Sequence, residues 1–248
     1  MSFDRRRLLA GLLACPVCAA VARAEGPHWE YEQHGGAAKW GELDESYKAC
    51  SLGTEQSPID LSSAIKANVD PLKLDWKPQA FEIVNNGHTI QANAAPGSTL
   101  TIGKDTYNLV QFHFHSPSEH SIGGKRSTME AHFVNSQPSG RLAVVGVFMK
   151  AGRKNTAFAA IMRVAPRSEG EKALDKPLDP RQLLPASRAL YRYKGSLTTP
   201  PCSEVVDWNI YEQPIEVAAE DIEAFRAIFP MNARPLQPVN RRFLLRGV

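Results

Sequence analysis

The sequence contains little cysteine and no long apolar run after its first segment. Only four of its 248 residues are cysteine, too few for a disulfide-rich scaffold. After residue 24 no stretch of 18 apolar residues occurs, so no membrane span is expected there. Internal repeats and low-complexity tracts are also lacking, which argues against solenoid and collagen-like architectures.

An excess of charge of one sign is lacking as well. The whole chain carries a formal charge of +3, but residues 1–24 alone account for it, and the remainder has 25 basic and 25 acidic side chains. A domain without net charge has no electrostatic attraction for a polyanion. We therefore expect no nucleic-acid partner.

Residues 1–24 predict an export signal. The basic run Arg5–Arg7 precedes an apolar stretch, Leu8–Val21, and Ala22-Arg23-Ala24 forms a small-x-small cleavage site. We expect a signal peptide at 1–24, a mature domain at 25–248, and a periplasmic or secreted location.

The type of signal is open. Paired arginines before the apolar stretch are typical of twin-arginine export, and an arginine-rich Sec signal fits equally well. Acylation of Cys15 as a lipoprotein is a third option, which Leu13 two residues earlier fits poorly.

Two cysteines, Cys50 and Cys202, remain after the signal. In an exported domain two cysteines usually form a disulfide, here closing a long loop. Two buried free thiols are the alternative, and the residues alone leave both open.

Short strand-like segments separated by turn signals fill residues 80–150. Closely spaced strands favour antiparallel pairing, so we predict a mainly β single domain with one large, twisted, mostly antiparallel sheet. Helical spacing occurs only at Asn155–Arg163 and Glu220–Phe229, and residues 164–201 are predicted to be irregular. The predicted strands are Phe81–Val84, His88–Ala92, Thr99–Ile102, Tyr107–His115, Met129–Val134 and Leu142–Met149.

The segment Gln111–His115 alternates strictly between apolar and polar residues. Because side chains of a strand alternate between faces, His113 and His115 lie on one face and can converge on a single ion. A second alternating segment, Glu130–Val134, adds His132 if the two strands are neighbours. Zinc held by three histidines keeps a fourth position open for water, the arrangement of catalytic sites.

A histidine pair on a strand is more often packed or on the surface than bound to metal. The third histidine strengthens the metal interpretation, and Gln111 and Glu130 could fix the imidazole tautomers from the same faces. The pattern alone leaves both interpretations open.

Taken together in order, several motifs resemble the α-class carbonic anhydrases, in a form close to bacterial and plant members. The resemblance runs from about His28 to the C-terminus. Its motifs are Gln56–Ile59, Asn85–His88, Gln111–His115, Ser118–His120, Glu130–His132, Leu142–Gly146, Gly195–Cys202 and Asn240-Arg241.

The resemblance implies a zinc cofactor and the reversible hydration of carbon dioxide to bicarbonate and a proton. It assigns His113, His115 and His132 as zinc ligands. Gln111 and Glu130 become the acceptors behind His113 and His132, and a backbone carbonyl near Asn232 the acceptor behind His115.

The resemblance also implies roles around the metal. Thr198 accepts a hydrogen bond from the zinc-bound hydroxide and donates its own to Glu119, and His88 is the proton shuttle. The residues matching the substrate site are Val134, Val144, Leu197 and Trp208, which form an apolar wall for carbon dioxide, and Thr199, which contacts bicarbonate.

Bacterial members of the family have a disulfide that matches Cys50 and Cys202 and anchors the loop bearing Thr198. The resemblance therefore implies that these cysteines pair. It also implies cis peptide bonds at Ser57-Pro58 and Pro200-Pro201.

Two other function classes are alternatives to a zinc enzyme that hydrates carbon dioxide. A cupin-like metal-dependent oxygenase would use Glu119 as a direct metal ligand, although the second half of a cupin motif is missing. A non-catalytic binding module of the same family would typically lack a ligand histidine, whereas all three are present. Whether the protein is a monomer or a homodimer is open.

Overall fold

A single 12-stranded sheet dominates the computed structural model, which describes residues 27–32 and 35–247. The predicted signal at 1–24 lies outside the described residues. Up to residue 115 the elements are α1 (Trp40–Leu43), α2 (Ala49–Leu52), β1 (Ile65–Lys66), β2 (Leu72–Asp75), β3 (Glu82–Asn85), β4 (Ile90–Asn93), β5 (Thr99–Ile102) and β6 (Asp105–His115). They continue with β7 (Ser121–Ile122), β8 (Lys125–Arg126), β9 (Met129–Ser136), β10 (Leu142–Ala151), α3 (Thr156–Val164), β11 (Gly170–Ala173), β12 (Leu190–Gly195), β13 (Val206–Val217), α4 (Ala219–Arg226) and β14 (Leu245–Gly247).

The strands run in the order β1-β14-β12-β13-β10-β9-β6-β4-β3-β11, and β5 joins β6 to β2. Among the strand pairs of the described residues, β1 with β14 and β10 with β13 are parallel, and the others are antiparallel. A separate ribbon, β7-β8, lies beside the sheet. The predicted mainly β, mostly antiparallel fold is confirmed.

Side chains at alternate positions of β6 point to opposite faces of the sheet. Phe112 and Phe114 are fully buried on one face, where Phe114 packs against Phe158 of α3 and Phe225 of α4. This face carries the main apolar core. The opposite face at the same strand presents His113 and leaves room for a site.

Apolar side chains account for the two longer helices. In α3, Phe158 and Ile161 are buried, and the Asn155 side chain caps the helix by accepting from two backbone N–H groups. In α4, Ile222 and Phe225 are buried. No helix among the described residues is long and apolar enough to cross a membrane.

The predicted strands between 80 and 150 all exist, with ends shifted by at most two residues. The prediction that residues 164–201 are irregular is wrong, because β11 and β12 lie there. The longest strand, β13, was not predicted, and α4 ends at Arg226 rather than Phe229.

Candidate functional site

The three histidines meet on one face of β6 and β9. These strands are antiparallel neighbours, and His113 lies directly opposite His132. His115 follows two residues later on the same face. One nitrogen from each of the three rings lies within 4.8 Å of the others, as the spacing of a shared metal ion requires.

Each imidazole has one nitrogen held by an acceptor, which leaves the other nitrogen for a metal. His113 Nδ1 lies 2.8 Å from Gln111 Oε1, and His115 Nδ1 lies 2.7 Å from the backbone oxygen of Asn232. The free nitrogens are then the Nε2 atoms of both rings.

In His132 the nitrogen held by an acceptor is Nε2 instead of Nδ1. Its Nε2 lies 3.0 Å from Glu130 Oε1, so Nδ1 is the free nitrogen. The same carboxylate accepts from the backbone N–H groups of Glu119 and His120 and from His120 Nδ1. Burial alone would raise the pKa of Glu130, but the imidazoles of His120 and His132 lower it well below its usual value. Glu130 is therefore a buried anion.

The donor set fits a metal ion. Burial lowers the pKa of His113 well below its usual value, and burial also lowers that of His115. Both rings are therefore neutral near pH 7, the form that binds metal. His115 Nε2 is fully buried and has no hydrogen-bond partner among the described residues, the state expected of a nitrogen kept for a ligand.

Glu119 is a second buried acid close to the three rings. Its Oε1 accepts from the backbone N–H of Arg234 at 2.9 Å. Its Oε2 lies 3.5 Å from His115 Nε2 and 3.8 Å from His132 Nδ1, and it has no hydrogen-bond partner within the described part of the chain. No hydrogen bond from Thr198 to this carboxylate is present among the described residues.

Thr198 and Thr199 lie in the loop after β12. Thr198 is 6% exposed, whereas Thr199 lines the cavity beside the histidines. A disulfide between Cys50 and Cys202 ties this loop to α2, and both expected cis peptide bonds are present, at Ser57-Pro58 and Pro200-Pro201.

The expected apolar residues form a single cluster. Val144 on β10 pairs with Val134 on β9 and with Trp208 on β13, so the three side chains form a row across the sheet. Leu197 packs against the same cluster. The ring of Trp208 lies 4.8 Å from that of His132, which brings this apolar row next to the histidines.

A cavity of about 130 Å³ lies beside two of the three histidines, His113 and His115, which line it. His88 lines the same cavity, together with Tyr31, Asn86 and Gln91. His88 stacks on Trp29, with ring centres 3.8 Å apart. Burial lowers the pKa of His88, with a further lowering from nearby His28.

Sequence reasoning missed Arg234 and Tyr193. Arg234 is 1% exposed, and its guanidinium donates to the backbone oxygens of Cys50 and Ser57 and to the side chain of Gln56. Burial lowers its pKa to about 10, so it remains a cation at neutral pH. No local pattern marks it, since the partners of its guanidinium lie more than 170 residues earlier.

Tyr193 supports the site from β12. Its hydroxyl lies 2.7 Å from His120 Nε2 and 2.9 Å from Ser57 Oγ. The chain of contacts from His132 through Glu130 and His120 to this tyrosine is completely buried. It depends on strand order in the sheet, which the residues around Tyr193 do not reveal.

Comparisons with known proteins agree with this geometry. The family model described as eukaryotic-type carbonic anhydrase matches residues 35–246. A carbonic anhydrase of Pectobacterium carotovorum is 39% identical over 235 residues, covering 94% of this chain and 96% of that protein. One from a Nostoc species is 41% identical over 234 residues, covering 92% and 89%.

A solved structure extends the likeness to three dimensions. The α-carbonic anhydrase of Thermovibrio ammonificans, in complex with the inhibitor sulfanilamide, has a TM-score of 0.87 and 41% identity. The match covers 89% of this chain and 100% of that chain. The sequence motifs, the sheet and these relatives lead to one conclusion: this chain belongs to the eukaryotic-type (α) carbonic anhydrase family and is a carbonic anhydrase.

Proposed function

We propose that this protein is a zinc enzyme that catalyses the reversible hydration of carbon dioxide to bicarbonate and a proton. His113, His115 and His132 would hold the zinc. The observation that carries the proposal is that their three free nitrogens converge while their other nitrogens are each tied to an acceptor. Zinc bound in this way lowers the pKa of a bound water to about 7 and so supplies hydroxide at neutral pH.

The donor set favours zinc over iron or manganese. Three neutral imidazoles with an open fourth position are typical of catalytic zinc, whereas non-haem iron oxygenases use two histidines and a carboxylate. No carboxylate belongs to the converging group of His113, His115 and His132, so Glu119 is not a ligand there. His120, Glu130 and His132 also lie close together, but the Glu130 carboxylate is bonded to both of these imidazoles. This argues against the cupin-like alternative.

The apolar row of Val134, Val144, Leu197 and Trp208 suits carbon dioxide. The substrate is small and has no net dipole, so it needs an apolar surface beside the metal rather than hydrogen-bond donors. Thr199 is proposed to contact bicarbonate, because its side chain lines the cavity that contains two of the ligands.

Thr198 and Glu119 are proposed to orient the reacting oxygen. The Glu119 carboxylate faces the ligand histidines, so a hydroxyl group beside it is favoured as a donor toward the acid and an acceptor toward the site. Thr198 is a nearly buried hydroxyl in the loop after β12.

His88 is proposed to carry the released proton from the cavity to buffer. It lies on the cavity wall, half-buried, and does not belong to the ligand group. An imidazole whose pKa lies below its usual value releases a proton readily near neutral pH.

Export is also proposed. Residues 1–24 would be removed as a signal peptide, leaving a catalytic domain at 25–248 in the periplasm or outside the cell. The disulfide supports this location, because such bonds persist in oxidising compartments. Mass spectrometry of the exported protein should find Glu25 at the N-terminus; a full-length cytoplasmic chain or a lipid on Cys15 would contradict the proposal.

Metal exchange tests the proposed function. Chelation should abolish carbon dioxide hydration, and one equivalent of zinc per chain should restore it better than iron or manganese. Zinc binding without hydration would instead favour the non-catalytic binding module. Activity that returns only with iron or manganese would refute the zinc mechanism.

A further inference from the structure

Asn232 joins the candidate metal centre to the turn that carries His88. It is 1% exposed and lies in the irregular segment after α4. Its backbone oxygen accepts from His115 Nδ1 at 2.7 Å. Its side-chain amide nitrogen donates to the backbone oxygens of His88, at 3.0 Å, and Phe114, at 2.9 Å.

The remaining atoms of Asn232 are fixed as well. Its Oδ1 accepts from the backbone N–H of Ser116 at 2.8 Å, and its own N–H donates to the Ser116 oxygen at 3.2 Å. These bonds attach Asn232 to the chain directly after β6. The amide group therefore has a defined orientation, with its donor side toward His88.

The His88 turn is held by its own hydrogen bonds and by two further contacts. Thr89 Oγ1 donates to the backbone oxygen of Phe114 at 2.6 Å, and the His88 ring stacks on Trp29. Asn86 Oδ1 accepts from the backbone N–H groups of His88 and Thr89, and Gly87 adopts a positive φ of 84°. The bonds of Asn86 set the shape of the turn, and Thr89 attaches it to β6. The bond from Asn232 adds a direct link from the backbone of His88 itself to the residue whose backbone oxygen holds His115.

We propose that Asn232 is a positioning residue for proton transfer. It fixes His88 relative to His115, the ligand that its own backbone oxygen holds, and so sets the path along which the proton leaves. Asn232 would not touch the substrate or the proton. This inference rests on the proposed function, with His88 as the shuttle.

The variant Asn232→Asp tests the proposal, because it keeps the size and the Oδ1 acceptor but replaces the donor with an oxygen facing two carbonyl oxygens. Proton release follows hydration, so a displaced shuttle should lower kcat and spare kcat/KM. We expect kcat in weak buffer to fall about 10-fold, with kcat/KM within about 2-fold of the unmodified protein. Added imidazole should restore kcat, since a diffusible base replaces a misplaced one.

Two reference variants make the result specific. His88→Ala defines the loss expected when the shuttle is absent, and His88→Ala/Asn232→Asp should be no slower in weak buffer than His88→Ala alone. Asn135→Asp is the matched control, because the buried amide of Asn135 also donates to two backbone oxygens, those of Phe133 and Ala143, but away from His88. Asn135→Asp should lower stability without an imidazole-dependent change in kcat.

Several outcomes would overturn this inference and leave the proposed function standing. These are an equal fall in kcat and kcat/KM, loss of zinc, no rescue by imidazole, or a further fall in the double variant. Asn232→Ala avoids a buried carboxylate and should give the same kinetics if Asn232→Asp does not fold; failure of both to fold would assign Asn232 a structural role only. No hydration by the unmodified protein would refute the proposed function and this inference with it.

Discussion

The hydrogen bonds behind the three histidines decide what each ring can do. Gln111, Asn232 and Glu130 each take one imidazole nitrogen, and the other nitrogens face a common point. This arrangement fixes the tautomers before any metal binds, so little is lost in ordering the ligands. The roles of single residues can be tested one contact at a time.

Glu119→Gln should keep one zinc per chain and lower the hydration rate about 10–100-fold, because the acid faces the ligands without being one of them. Metal content and stopped-flow hydration on the same sample measure both effects. Glu171→Gln, on an exposed edge strand, is the control that should leave both unchanged. Loss of metal from Glu119→Gln would mean direct ligation, as in the cupin-like alternative.

Gly146→Ala should speed metal loss about 10–100-fold. Gly146 lies opposite His132 across β9 and β10, and a Cβ there would stand 3.1 Å from Glu130 Oε1 and 3.0 Å from Ile210 Cγ1. The added methyl should therefore displace the carboxylate that holds His132.

The rate of zinc transfer to a chromogenic chelator measures this effect. Val145→Ala is the matched control, since it destabilises the adjacent core without approaching Glu130. Equal transfer rates for Gly146→Ala and the unmodified protein would contradict the assignment.

Sequence patterns singled out the three histidines that we propose as ligands, but not everything that supports them. The period of two on β6 and β9 places the histidines on one face. By contrast, Arg234 and Tyr193 act across distant parts of the chain, so no local spacing could reveal them. The position of Glu119 Oε2 also depends on tertiary geometry, so the pairing of Thr198 with Glu119 stays a prediction.

Strands and helices were predictable where one face is polar and the other apolar. β13 was missed because its polar residues are buried: Asp207 is 4% exposed and pairs with Arg192 and Lys194 of β12. β11 was missed for the opposite reason, since all four of its residues are exposed and its pairing with β3 leaves no apolar signal.

Asn155→Ala should lower stability by about 1 kcal/mol, because it removes the acceptor that caps α3. Asn155 Oδ1 accepts from the backbone N–H groups of Ala157 and Phe158 at 3.0 and 3.1 Å. Urea unfolding measures the change. Asn155→Asp keeps the cap but loses the bond to Gln182, so its stability should lie between that of the unmodified protein and that of Asn155→Ala. A loss of stability as large as that of Asn155→Ala would assign the effect to the bond between Asn155 and Gln182.

Removal of both cysteines should lower stability by about 2–5 kcal/mol, since the disulfide closes a loop spanning 152 positions and limits the unfolded chain. Cys50→Ala/Cys202→Ala is the variant, and urea unfolding is the measurement. The control is the unmodified protein treated with a reductant, and its stability should equal that of the double variant. An unchanged midpoint in both would contradict a stabilising role.

At the scale of the whole molecule, the two faces of the large sheet have different functions. The face toward α3 and α4 carries the main apolar core, and the opposite face carries the histidines, the apolar row and the cavity. Because the three histidines stand on central strands rather than on loops, the rigid sheet positions them. The fold class followed from strand spacing and family resemblance, whereas the strand order required the structure.

Stopped-flow hydration of carbon dioxide by residues 25–248, with zinc measured on the same sample, tests the central claim most directly. We predict one zinc per chain and rapid hydration, abolished together with zinc binding in His113→Ala. Val110→Ala, at an exposed position on the same strand, should change neither. Zinc without hydration, a preference for iron or manganese, or full activity in His113→Ala would contradict the account.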